Sequence, residues 1–540
     1  MKGDSFAELT GREKALAVLD LDTAHELLDP FARMESPHLS TQDIVPQSDD
    51  GVVIVRGKIG GREAVVISVE GGFQGGSIGE VNGAKIAGTL EVTLREARAG
   101  RLICPVLLFD TGGIRLQEAN LGLLAISNIH SAIVALRDFV PVVGVIAGRV
   151  GCFGGMSISA ALCTVLIGTE VGRLGLNGPE VIEQEAGIGE FDSRDRERIW
   201  QTLGCRRRFE LGQIDQLVND SVDEVAAAIR DQVEGQLAHG PRTVFRTRDI
   251  DLQTRKLSEH PITAASPVLD VTRPSSRGLR WFEALTEDST ANLKNKSLLV
   301  ADRQWSGEAI RLISVVCNPH AKFPRARQGQ VGIEEGWAIA KAVWDAIHTD
   351  EGNRKRAIVA LVDVAGQAFG WHEETLGIHL ALAAAVDAYV VARQLGHPVI
   401  AVVVGKAVSG AFLAHGLQAG QILALDDRGV EVHVMSEVSV ARVTRRSPEQ
   451  VASLASIVPA TARDVKSFAG LGGIDHLLRV GDAAEPDAEA IVNVRQAILM
   501  AIRMARKSRL APRGQFPSFS RPAMSWHVRQ KLESQWTTNG

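Results

Sequence analysis

The chain repeats one layout in its two halves. Residues 104–162 open with the apolar stretch CPVLLF and close on GCFGGMSISAAL; residues 357–417 open with AIVALV and close on GKAVSGAFLAHGL. Each copy begins with an apolar strand ending at an aspartate, Asp110 or Asp363, followed by a glycine turn, Gly112-Gly113 or Ala365-Gly366. A helix-length run of Ala, Leu and Ile comes next. Then a proline leads into a second apolar strand, 142–147 or 399–404. Glycine-bearing turns, Gly148 to Gly155 and Gly405 to Gly410, hand over to a new helix. Strand, turn, helix, strand, turn, helix is the order of a right-handed crossover in a parallel sheet. A repeat about half a chain apart predicts two similar α/β domains.

The turn at 151–159, GCFGGMSIS, puts Gly154 and Gly155 where a strand hands over to a helix. Glycine weakens both elements. It suits a place where backbone must come close to a ligand and present free N–H groups.

Composition narrows the function classes. With 540 residues, 45% hydrophobic and 23% charged, the chain is long enough for more than one domain. A net charge of −5 argues against a general nucleic-acid binder. The N-terminal stretch MKGDSFAELTGREKAL has no apolar leader core, and no long uninterrupted apolar run suggests a membrane span. The five cysteines, Cys104, Cys152, Cys163, Cys205 and Cys317, form no CxxC pair, so no zinc ribbon or other metal site is expected, and the scatter fits a reducing, cytoplasmic setting. A single tyrosine, Tyr389, leaves little room for chemistry built on several tyrosines. Residues 241–305 mix charge, Ser, Thr and Pro without a period and read as a linker and arm. Two basic stretches, Arg206–Arg208 and the 503–513 segment with Arg503, Arg506, Lys507, Arg509 and Arg513, are either solvated faces or docks for an acidic or phosphate-bearing partner.

The stretch FDTGGIRLQEA, 109–119, resembles the D-S-G-G-A-R-x-Q-E signature of the carboxyltransferase components of acyl-CoA carboxylases. FQGGSIGEVNGAKI, 73–86, is similar to their upstream Gly-Gly-Ser segment, and GCFGGMSISAAL to their later Gly-Gly element. In the second half DVAGQAFGWHEE resembles their D-x-P-G-F turn, with Ala365 for proline, and GKAVSGAFLAHG their G-G-A element, with Ser409 for the first glycine. The resemblance covers roughly 50–220 and 305–480. Within this superfamily it is nearest to malonate decarboxylase, with beta and gamma subunits fused into one chain. The absence of CxxC and the stretch VPATARDVKSFAGLGGIDHLL, similar to the gamma subunit, favour that branch.

That resemblance implies an α/β fold of two crotonase-like domains, built from ββα repeats and related by a pseudo-twofold. The beta-like, thioester-side domain is expected at 1–270 and the gamma-like domain at 280–540. It implies decarboxylation of a malonyl thioester on an acyl carrier protein, through an enolate. The alternatives are transfer of CO₂ to biotin on another protein, an acyl-CoA carboxylase component, or a non-catalytic scaffold. Backbone N–H groups aimed at the thioester oxygen would stabilise the developing charge. Gly154 and Gly155 are expected to form that oxyanion hole, with Gly410 and Ala411 as a second hole on the CO₂ side. Gly112, Gly113, Arg115 and Gly366 are expected to line the substrate. Arg115 either touches a carboxylate or pins the turn to Glu118. The proton donor is left among Glu118, His372, Glu373, Gln117, His415 and water, and Cys152 is read as a packing residue. No cofactor is expected on this chain; the carrier would bring a phosphoribosyl-dephospho-CoA arm. Expected partners are that acyl carrier protein and a malonyl/acetyl transferase subunit, with no nucleic acid or membrane. The fused chain is expected to form a homodimer, with the active cleft within the chain or across the dimer.

Overall fold

A computed structural model describes residues 5–146, 148–235, 251, 253, 255–256, 276–287, 296–507 and 523–538. The chain forms two units. The first takes residues 1–243 with 514–516 and 520–540; the second takes 244–513 with 517–519.

The first unit is built on a seven-stranded sheet in sequence order: β1 (His25–Leu27), β2 (Val52–Ile59), β3 (Arg62–Val69), β4 (Cys104–Phe109), β5 (Val143–Ile146), β6 (Val165–Thr169) and β7 (Gln216–Val218). β2 and β3 pair antiparallel around Gly60-Gly61, both at positive φ, as a two-residue hairpin turn requires. From β3 to β7 every pairing is parallel. β4 and β5 are buried at every residue, which is why they read as unbroken apolar runs rather than alternating ones. One face of the sheet, with Val55, Val66, Val106, Leu108, Val145 and Ile167, packs on Val225 and Ile229 of the helix Val222–Glu234.

The second unit holds β8 (Leu298–Trp305), β9 (Glu308–Val315), β10 (Ala357–Val364), β11 (Val399–Val408), β12 (Gln421–Leu425), β13 (Glu431–His433) and β14 (His476–Leu478). Its order is β14-β12-β11-β10-β9-β8, with β13 paired to the end of β11. Again the first hairpin, β8–β9, is antiparallel and the rest parallel. The repeat is therefore longer than the sequence suggested: it includes the leading hairpin.

Each unit carries a matching pair of long helices, Glu80–Arg98 with Ala119–Leu136 and Ile333–Thr349 with Ile378–Gln394. Both pairs cross at a glycine. A side chain at Gly83 would overlap Ala125, and one at Gly336 would come 2.7 Å from the backbone of Ala381. The first helix of each pair is capped alike: the Gly79 N–H donates to Asn82 Oδ1 at 2.7 Å, the Gly332 N–H to Glu335 Oε2 at 2.9 Å. By length and a mean hydropathy of 1.5, Ala119–Leu136 could cross a membrane, but 89% of it is buried inside the fold as a core helix.

Two expectations on organisation need correction. The range 280–540 is too long for the second unit, because the helix Met524–Thr538 packs on the first. Its Arg529 grips Glu91 through Nε and Nη2 at 2.8 and 2.9 Å, the Ser525 N–H donates to Glu80 Oε1 at 3.0 Å, and Val528, Leu532 and Trp536 are buried. The 241–305 stretch is not wholly a linker either. Arg277–Thr286 is a helix that buries Trp281, Phe282 and Leu285, and β8 starts at Leu298. Residues 241–250 and 257–275 lie outside the described residues.

Candidate active site

In the first unit the site is shaped from Asp110, the residue after β4. Its carboxylate accepts from the Val150 N–H at 2.8 Å and pairs with buried Lys14 at 3.4 Å. Any side chain at Gly71 or Gly148 would strike that carboxylate. Asp110 thus pins the 148–151 loop, and the chain beyond it follows a fixed path. The Phe153 N–H donates to Thr111 O at 3.0 Å, and Gly154 turns at φ 60°, ψ −146°. Gly155 then opens the helix Gly155–Leu162.

Backbone hydrogen bonds separate the expected residues. The Gly154 N–H is already spent on Leu176 O at 3.0 Å, the Gly112 N–H on Gly75 O at 2.8 Å and the Gly113 N–H on Thr111 Oγ1 at 3.1 Å. Among the described residues nothing accepts the Gly155 N–H, the first donor of its helix. The Ile114 N–H is likewise without an acceptor among them. These groups border one niche. A side chain at Gly113 would meet Gly154 Cα at 3.2 Å, and one at Gly154 would come within 3.9 Å of Ile114 N. Gly112, Gly113 and Gly154 therefore let neighbouring loops meet backbone to backbone, the Gly155 and Ile114 N–H groups are the ones left open among the described residues, and the expected use of the Gly154 N–H is corrected. Ile114 was missed because an isoleucine has no signature of a backbone donor.

Behind the niche, Arg115 pins the turn. Its Nη1 reaches Glu118 Oε2 at 2.8 Å and Asp50 Oδ1 at 2.7 Å, with all three side chains buried. Glu118 Oε1 also accepts from Ser36 Oγ at 2.6 Å. Of the two readings of Arg115 the structure takes the internal one, and it encloses Glu118 in the same network. Burial and the neighbouring Glu118 push the Asp50 carboxyl up, against the pull of Arg115.

The second unit repeats the pin. Asp363 accepts from the Lys406 N–H at 3.0 Å and the Gly278 N–H at 2.9 Å. Ser409 stands where Gly154 stands in the first unit and also has positive φ, 50°. The Gly410 N–H, counterpart of Gly155, donates to Gln367 Oε1 at 3.1 Å. This corrects Gly410 as an open donor; among the described residues the Ala411 N–H has no acceptor. Gly366, at φ 123°, makes the turn that delivers Gln367. On the same loop His372 is half-buried against Trp371, and Glu373 is buried with its carboxylate against Gly370. His415 is held by Tyr389 Oη at 3.0 Å and Leu361 O at 3.2 Å, and burial lowers its pKa to about 4, so it is a neutral packing group. The sequence reading missed His433, in register with Val408 on β11, which accepts from Arg463 at 2.9 Å.

The remaining candidates are engaged locally or lie outside the described residues. Cys152 is buried, and burial raises its thiol well above the ordinary range. Arg208 is buried and donates to Leu174 O at 2.9 Å, while Arg206 and Arg207 pair with Glu170 and Glu210. Arg506 pairs with Glu308 at 2.8 Å and Arg503 is exposed; Arg509 and Arg513 lie outside the described residues.

Comparison with known proteins gives two matches that together cover most of the chain. Residues 8–203 match the carboxyl transferase domain, and residues 326–535 match the malonate decarboxylase gamma subunit. Malonyl-S-ACP:biotin-protein carboxyltransferase MADC of Malonomonas rubra is 43% identical over 232 residues, 41% of this chain and 73% of MADC. MADD of the same organism, which bears the same activity in its name, is 38% identical over 165 residues, 30% of this chain and 56% of MADD, so little more than half its length is spanned. Among solved structures, a chain of a Pseudomonas malonate decarboxylase hetero-tetramer in complex with malonate is 52% identical, with 49% of this chain and 94% of that chain covered and a TM-score of 0.46.

Proposed function

Because this chain belongs to the malonate decarboxylase branch of the carboxyltransferase family, with beta-like and gamma-like parts in one polypeptide, we propose that it decarboxylates a malonyl thioester to the acetyl thioester. The observation that carries this reading is the Gly155 N–H, left without an acceptor at a helix start beside the Ile114 N–H. The bond between the malonyl carboxylate and the α-carbon breaks, CO₂ leaves, and its electron pair moves into an enolate whose charge rests on the thioester oxygen. Gly155 and Ile114 donate to that oxygen, from loops that Gly113 and Gly154 allow to meet backbone to backbone. A pre-aimed backbone donor of this kind contributes about 10² to 10³ in rate. A proton then goes to the α-carbon, for which water is the donor this reading requires.

In this reading the substrate rides on an acyl carrier protein with a phosphoribosyl-dephospho-CoA arm, loaded by a malonyl/acetyl transferase subunit. The chain works in the cytoplasm as a homodimer, each copy carrying two crotonase-like domains. The beta-like match lies within the first unit, and the gamma-like match spans the second and reaches into the helix Met524–Thr538 of the first. The activity named for MADC and MADD favours a second reading, in which CO₂ passes to a biotin protein. Incubating the full chain with a malonyl-pantetheine thioester, with and without biotin, separates them. Acetyl thioester and CO₂ formed without biotin support decarboxylation; turnover dependent on biotin selects transfer; no turnover under either condition overturns both.

A further inference from the structure

The donor peptide of the first unit is held from behind. Ser157 Oγ donates to Gly154 O at 2.7 Å, and the Ser157 N–H donates to the same oxygen at 3.0 Å. Gly154 C=O and the Gly155 N–H belong to one planar, trans peptide, so they point in opposite directions. The next carbonyl is held as well: His130 Nε2 lies 2.9 Å from Gly155 O. Ser157 and His130 are both fully buried, and burial lowers the His130 pKa to about 4, so the ring is neutral and Nε2 carries its proton toward that oxygen. In the second unit the matching donor, the Gly410 N–H, is instead covered by Gln367.

We infer that Ser157 is a positioning residue for the reaction, aiming and polarising the Gly155 N–H through its hydroxyl bond to Gly154 O. This rests on the oxyanion reading given above. Two donors on one carbonyl fix the tilt of the peptide plane. They also draw electron density toward the oxygen, which makes the opposite N–H a stronger donor. A hydroxyl in the first turn of a helix is not needed for the helix itself, since alanine is the better helix former.

The test uses the full chain and a malonyl-pantetheine thioester. Ser157→Ala is expected to lower kcat roughly fivefold with KM unchanged. The thermal midpoint should not fall, and Ser157→Thr, which keeps the hydroxyl, should restore kcat. Gly155→Pro deletes the donor N–H at the one helix position that accepts proline. In that background Ser157→Ala should cost nothing further. If Gly155→Pro is slow but Ser157→Ala turns over like wild type, or slows both backgrounds equally, Ser157 has no positioning role. A Gly155→Pro chain with wild-type kcat removes the oxyanion reading itself, and the role of Ser157 with it.

Discussion

Gln367 Oε1 accepts the Gly410 N–H at 3.1 Å, whereas the Gly155 N–H at the matching turn of the first unit meets no acceptor among the described residues. The two turns share an aspartate pin and a left-handed residue, yet one donor is covered by the protein's own amide. Gln367→Ala should uncover it. The buried N–H then loses its partner, and the expected loss is about 1–2 kcal/mol in urea unfolding. Gln367→Glu keeps an acceptor and should lose less. Equal losses in the two variants would mean that the Gly410 bond contributes little.

Ser409 is held at φ 50°, in the left-handed region that its counterpart Gly154 occupies freely. Ser409→Gly relieves that conformation but adds freedom to the unfolded chain. The balance favours glycine by about 0.5–1 kcal/mol, measured as a higher urea midpoint at unchanged slope. A lower midpoint would show that the Ser409 side chain contributes more than its backbone costs.

Arg115 is the shared partner of two buried carboxylates, Asp50 and Glu118. Arg115→Met leaves both without it and should lower stability by about 3–5 kcal/mol. Asp50→Asn in that background removes one of the stranded carboxylates and should recover part of the loss. Additive effects of the two changes in a double-mutant cycle would contradict the network.

Glu335 is fully buried where it caps Gly332, and burial pushes its carboxyl from an ordinary 4.5 up to about 7. Between those values the folded chain keeps a proton that the unfolded chain has released. Stability contributed by Glu335 therefore falls as pH rises through that window, by at most about 3 kcal/mol, and levels off above it. Glu335→Gln should flatten that part of the profile in denaturant titrations from pH 5 to 8. An unchanged slope would place the titration elsewhere.

The parallel cores of both units were legible because strands such as Val106–Phe109 and Ile400–Val404 are buried on both faces and leave unbroken apolar runs. Asp110 and Asp363 stood out as strand ends, though not as pins, because their partners are backbone N–H groups some 40 residues away. The donors themselves were only half readable. The glycine pair marked the turn, but which N–H is spent depends on acceptors such as Leu176 O and the Gln367 amide, which the fold brings in from elsewhere. Arg115 was readable either as a substrate contact or as a pin on Glu118, and the contact that decides for the pin, Asp50, lies 65 residues away in sequence. The helix Arg277–Thr286 hid because it is short and lies within a longer stretch mixing charge, Ser, Thr and Pro.

The helix Met524–Thr538 completes the first unit although the whole second unit precedes it in the chain. During synthesis the first unit therefore waits. Its helix Glu80–Arg98 keeps an open flank around Gly88 until Arg529 and Leu532 have left the ribosome and found it. A ribosome stalled inside the second unit would expose that flank to chaperones or aggregation, so closing the first domain depends on a helix made some five hundred residues after the domain begins.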